Sequence, residues 1–168
     1  MVQSFRAVWS AVILLAAVPS VRAESVVVLV RHGEKVDESS DAQLSDVGRS
    51  RARALAALLK DAGIEAVYST DTARTRDTAR PTAESLKKPV DIYDADRLEA
   101  FAKELRAKGG RVLVVGHSNT TPEMVKHLGG DPGTPIADEE YDRVFVLTLS
   151  ADGRVSTLVL RFPEGVEK

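Results

Sequence analysis

The run Val26-Val27-Val28-Leu29-Val30 is apolar and almost wholly β-branched, and it stops abruptly at Arg31-His32-Gly33-Glu34. A segment of that length and composition, with no polar alternation, reads as a strand buried on both faces, which is the signature of a parallel sheet covered by helices. In such sheets ligands bind beyond the carboxyl ends of the strands. A cation and an imidazole delivered there suggest anion chemistry. The pattern recurs at Val112-Leu113-Val114-Val115-Gly116-His117-Ser118-Asn119, so two of the three histidines in the chain sit at equivalent strand exits.

Helical patterns fill the intervals. Ser45 is placed to cap a helix running to about Ala62, with Leu44, Val47, Leu55, Leu58 and Leu59 at helical spacing and Gly63 at its end. Ala66 to Ser69 reads as a short strand and Thr72 to Leu86 as a helix kinked or interrupted at Pro81. A strand over Pro89 to Tyr93 and a helix from about Ala95 to Lys108 follow. After the second strand-to-histidine exit, Thr121 to Leu128 is helical, with Pro122 in its first turn. The segments 143–149 and 154–162, joined through Ala151-Asp152-Gly153, form a β-hairpin. The expected fold is therefore α/β: three layers, a mostly parallel central sheet with helices on both faces, and a C-terminal β-hairpin.

The first 23 residues stand apart. A short lead ending at Arg6, an apolar core from Val8 to Val18, and small residues in Val21-Arg22-Ala23 read as a secretory signal peptide, with an uncleaved anchor as the alternative. Residues 24–168 then form a single domain. Its expected location is periplasmic or extracellular, with no stable membrane insertion after cleavage. An exported chain with no cysteine rests on its core alone, and it has neither a thiolate nucleophile nor a thiolate metal site. A net charge of −2 offers no basic field for nucleic acid. Oligomeric state is not legible.

Three segments converge if the strands are parallel neighbours: Arg31-His32, His117, and the stretch Ser69 to Ala79, which opens a helix with Arg74 in its first turn. Free N–H groups at that helix start would add to the pull on an anion. Here the chain resembles the histidine phosphatase superfamily, the phosphoglycerate mutase-like group. The resemblance rests on Arg31-His32-Gly33-Glu34, on Leu44-Ser45-Asp46-Val47-Gly48-Arg49 with Arg51-Ala52, on Ser69 through Arg74 to Thr78-Ala79, and on Gly116-His117-Ser118-Asn119-Thr120. It implies His32 as a nucleophile forming a phosphohistidine. Arg31, Arg74 and His117 would hold the non-bridging oxygens and, through their charge, keep His32 neutral. Ser118 and Asn119 would add hydrogen bonds to phosphate or substrate, and Glu34 would orient or balance the pocket.

Two departures from the family pattern stand out. Thr70-Asp71-Thr72 replaces the Ser-Pro-Leu of many members, which brings an acid toward the phosphate site. No unambiguous general acid is present. Asp94, at a strand exit, is the leading candidate, although the same residue would serve equally well as a helix N-cap. Asp96 and Glu99 follow, with Glu123 and Asp138 further off. His127, in the last turn of its helix, reads as structural.

The implied activity is an exported, metal-independent phosphohydrolase without a cofactor, acting on a small phosphomonoester or phosphoramidate. The surrounding arginines would repel a metal cation. A phosphomutase and a phosphate-binding module without turnover are the alternatives. The insertions over the pocket, 35–43 and 131–141, are short, which suits an open, promiscuous site or a large substrate docking at the surface.

Overall fold

The computed structural model describes residues 24–162. The expected signal peptide lies outside the described residues. Among those described, no helix is long and apolar enough to cross a membrane.

The chain runs β1 (Ser25–Arg31), α1 (Asp46–Leu58), β2 (Ala66–Ser69), α2 (Ala73–Leu86), β3 (Val90–Ile92), α3 (Leu98–Lys108), β4 (Arg111–Gly116), α4 (Thr120–His127), β5 (Arg143–Leu149) and β6 (Val155–Arg161). The six strands form one sheet in the order β3-β2-β4-β1-β5-β6. β1, β2, β3 and β4 are mutually parallel; β5 runs antiparallel to β1, and β6 returns antiparallel beside it. The architecture is the expected three-layer α/β fold with a C-terminal hairpin.

The strands are apolar throughout because both faces are covered. Val28, Val30, Leu113 and Val115 pack with Leu55, Leu59, Ala79 and Ala83 of α1 and α2 and the turn after α1. Their neighbours in sequence, Val27, Leu29, Val112 and Val114, face the opposite way and meet Phe101, Leu105, Met124 and Leu128, from α3, α4 and the residue ending α4. Period-two alternation thus divides one apolar run between two cores.

Local chemistry sets the helix ends. The Ser45 hydroxyl accepts the Gly48 N–H at 3.1 Å and starts α1. α1 stops at Leu58, earlier than its pattern predicts, because the chain tightens into bonds of three-residue spacing: Lys60 N–H to Ala57 O and Ala62 N–H to Leu59 O. α2 continues through Pro81 instead of breaking there. The predicted helix at Ala95 begins instead as a 3₁₀ turn, Ala95–Arg97, before α3.

The connections from β1 and β4 matter most for the site. These strands are parallel neighbours, with Arg31 opposite Gly116. The chain leaves β1 through α1 on one face of the sheet and leaves β4 through α4 on the other. A crevice opens where adjacent connections diverge in this way.

Candidate active site

His32 and His117 follow directly from β1 and β4. The His32 N–H donates to Gly116 O at 2.9 Å, which ties the two strand exits together. The imidazole rings lie edge to face with centroids 5.4 Å apart. The close packing beneath them depends on glycine. A Cβ on Gly33 would come within 2.8 Å of Gly48 O, and one on Gly48 within 2.3 Å of Glu34 O. These two glycines let the start of α1 press against the turn after β1, where Ser45 N–H donates to Glu34 O at 2.8 Å. Gly33 N–H donates to Thr78 Oγ1, and that hydroxyl donates to Arg74 O, so α2 is fastened to the same turn.

The His32 ring is buried, and its Nδ1 lies 2.7 Å from Gly33 O. A carbonyl can only accept, so Nδ1 carries the proton and Nε2 keeps its lone pair. Burial is the main influence lowering the His32 pKa to about 3; the hydrogen bond to Gly33 opposes it, and Arg31, His117 and Arg74 push it further down. The cations therefore help to keep His32 neutral, but desolvation leads. His117 is lowered to about 4, again first by burial and then by Arg74 and Arg31. Its Nε2 is 2.9 Å from Thr70 Oγ1, and Thr120 Oγ1 accepts its backbone N–H.

Arg31, His32, Lys35, Arg74, His117, Ser118, Asn119 and Asp138 line one open cleft of about 400 Å³. Arg31 is buried, and its Nη1 donates to the carbonyls of Ala137, Asp138 and Glu140 at 2.8, 2.9 and 3.0 Å. The Tyr141 ring covers its guanidinium, with the central carbon 4.0 Å from the ring centroid. Arg74 donates from Nη1 to Ser40 O at 2.8 Å. The Nε of each arginine is buried and has no hydrogen-bond partner. Unpartnered buried donors are costly, and here two of them belong to cations lining the cleft that holds His32. Ser118 and Asn119 also border a neighbouring groove of about 590 Å³ between α4 and the segment 132–135. Among the described residues no group of three or more His, Cys, Asp or Glu side chains could hold a metal ion.

The comparisons with known proteins point the same way. Residues 27–95 match the family model described as histidine phosphatase superfamily (branch 1). That stretch of the chain is similar to the histidine phosphatase superfamily, and it contains the Arg31-His32-Gly33-Glu34 motif and Arg74. No curated protein matches its sequence. The fold is shared with the protein histidine phosphatase SixA complexed with tungstate (22% identity, 81% of this chain and 96% of that one, TM-score 0.65). It is also shared with a mycobacterial glucosyl-3-phosphoglycerate phosphatase (15% identity, 83% and 99%, TM-score 0.65). A third neighbour is a phosphoserine phosphatase from Entamoeba histolytica in complex with 3-phosphoglyceric acid (13% identity, 84% and 98%, TM-score 0.61).

Of the residues singled out from the sequence, the structure brings Arg31, His32, Arg74, His117, Ser118 and Asn119 into one cleft. Glu34 stands outside its lining, where both carboxylate oxygens accept from Arg51 Nε at 3.0 Å. Three expectations need correction. Asp94 does not reach the cleft: it accepts Asp96 N–H at 2.9 Å, caps the 3₁₀ turn, and lines a separate cavity with Tyr68, Tyr93 and Phe101. Asp71 does not burden the phosphate site, because it pairs with Arg76 instead. The start of α2 is not wholly free for an anion, since Asp41 accepts the Ala73 N–H at 2.6 Å. The sequence reading missed Thr70, as the partner of His117, and Tyr141. Both lie in irregular segments without periodicity, and their partners are distant in sequence.

Proposed function

We propose that this chain is a phosphatase that transfers a phosphoryl group to His32 Nε2 and then to water. The carrying observation is the single cleft that brings Arg31 and Arg74 together with a neutral His32 whose Nδ1 proton is engaged. The two guanidinium groups would attract the non-bridging phosphoryl oxygens, and their charges would stabilise the charge that spreads over those oxygens in the transition state. His117, held neutral by burial and the neighbouring arginines, gains a reason to protonate once a dianion sits beside it. Ser118 and Asn119 supply neutral donors at the border with the 590 Å³ groove, which has room for the leaving portion of a small phosphorylated substrate. The chemistry uses neither a metal nor a cofactor. Export to the periplasm or beyond is supported by the N-terminal pattern of residues 1–23.

The test is hydrolysis of p-nitrophenyl phosphate by the chain lacking residues 1–23, beside His32→Ala, with trapping of the phosphoenzyme by an alkaline detergent quench. The wild type should release phosphate, carry an acid-labile label and be indifferent to chelators, and the variant should do neither chemical step. Ordinary turnover by His32→Ala would defeat the mechanism. Phosphate bound but never released would favour a binding module, and transfer back to a second substrate position would favour a mutase.

A further inference from the structure

We infer that Asp138 is the proton donor to the leaving oxygen, an assignment that rests on the phosphatase reading above. Among the described residues lining the cleft, Asp138 is the one carboxylate. The other acids near the site are occupied or face elsewhere. Glu34 is bound to Arg51, Asp71 to Arg76, Asp41 to the start of α2, and Asp94 to the 3₁₀ turn. Glu123 lies in the neighbouring groove, 3.7 Å from His127. The Asp138 carboxylate is exposed and makes no hydrogen bond or ion pair among the described residues.

Its main chain, in contrast, is held. Asp138 O accepts from Arg31 Nη1, flanked by Ala137 O and Glu140 O on the same nitrogen. The segment is anchored from behind by Arg143, buried, which donates to both Glu140 carboxylate oxygens (2.6 and 2.8 Å) and to Thr134 O (2.6 Å). The guanidinium proposed to hold the phosphoryl group therefore also sets the backbone from which the acid projects. A fixed base with a free side chain suits a group that must reach a leaving oxygen whose position varies with substrate.

In the first step the His32 Nε2 lone pair forms the N–P bond. The P–O bond to the leaving group breaks with its electron pair on oxygen, and the Asp138 carboxyl proton passes to that oxygen. In the second step water attacks phosphorus and gives a proton to the Asp138 carboxylate. The N–P bond breaks, and its electron pair returns to Nε2.

Leaving-group dependence distinguishes this role from mere binding. Asp138→Asn keeps the shape and the backbone carbonyl but cannot supply the proton. kcat/KM, which reports the phosphorylation step, is compared for glycerol phosphate, whose alkoxide leaves poorly, and p-nitrophenyl phosphate, whose phenolate leaves well. The expected loss on glycerol phosphate exceeds that on p-nitrophenyl phosphate by roughly 100-fold, within the range for general acid catalysis. Equal losses on both substrates, or no loss on the alkyl ester, would overturn the assignment. So would a wild type active on the aryl ester alone, and that result would leave the phosphatase reading standing. A folded wild type inactive on both substrates would sink the phosphatase reading itself.

Discussion

The buried neutral imidazole of His32 makes folding stability depend on pH in a way that one substitution should remove. In the unfolded chain this histidine titrates at its ordinary value of 6.5, whereas in the folded chain burial lowers it to about 3. Between those values the unfolded state binds the additional proton, so stability rises with pH, is complete above about 6.5 and falls as pH drops toward 3. At pH 5 the unfolded side chain is protonated and the folded one is not. The lost stability relative to pH 7.5 is about 1.5 pH units at 1.36 kcal/mol each, or about 2 kcal/mol. Urea denaturation in phosphate-free buffer at pH 7.5, 6.5, 5.5 and 5.0 measures it, comparing wild type with His32→Gln. Carboxylates and the other histidines titrate in both proteins, so the difference in unfolding free energy isolates His32. Relative to the variant, the wild type should lose about 2 kcal/mol across that interval. A difference that stays constant with pH would refute the claim that the ring is held neutral by burial. Phosphate must be absent because a bound dianion would favour the protonated ring and mask the effect.

Arg74→Ala should lower kcat/KM for p-nitrophenyl phosphate by about 100-fold, the scale of losing a preorganised donor to developing charge; a loss below threefold would remove Arg74 from the phosphate site. Arg143→Met removes the buried guanidinium that holds Glu140 and the carbonyl triad on Arg31, without touching the cleft lining. Inorganic phosphate inhibition should weaken by roughly 10-fold, about 1.4 kcal/mol, and unchanged inhibition in a folded variant would show that Arg31 needs no such support.

How much of this could be read from residues alone follows from where each signal resides. Apolar β-branched runs report burial directly, so β1 and β4 and their histidine exits were legible, and Ser45 marked the start of α1 through a cap confined to four residues. Two motif glycines, Gly33 and Gly48, acquire their reason only in three dimensions, where a Cβ on Gly33 would strike the Gly48 backbone and one on Gly48 the Glu34 backbone. What escaped the sequence depends on contacts between distant segments. Asp41 closes the start of α2 from 32 positions away, and Asp71 is turned aside by Arg76. Asp94 has the right strand exit but the wrong edge: it follows β3, at the border of the sheet, while the cleft lies over β1, β4 and β2. The same geometry explains the place of Asp138. The segment returning from α4 to β5 must pass over the end of β1, because β5 pairs with β1. Arg31, emerging there, captures three of its carbonyls as it crosses. Sheet order, which no local pattern encodes, thus decides which acid stands at the cleft and which only caps a turn.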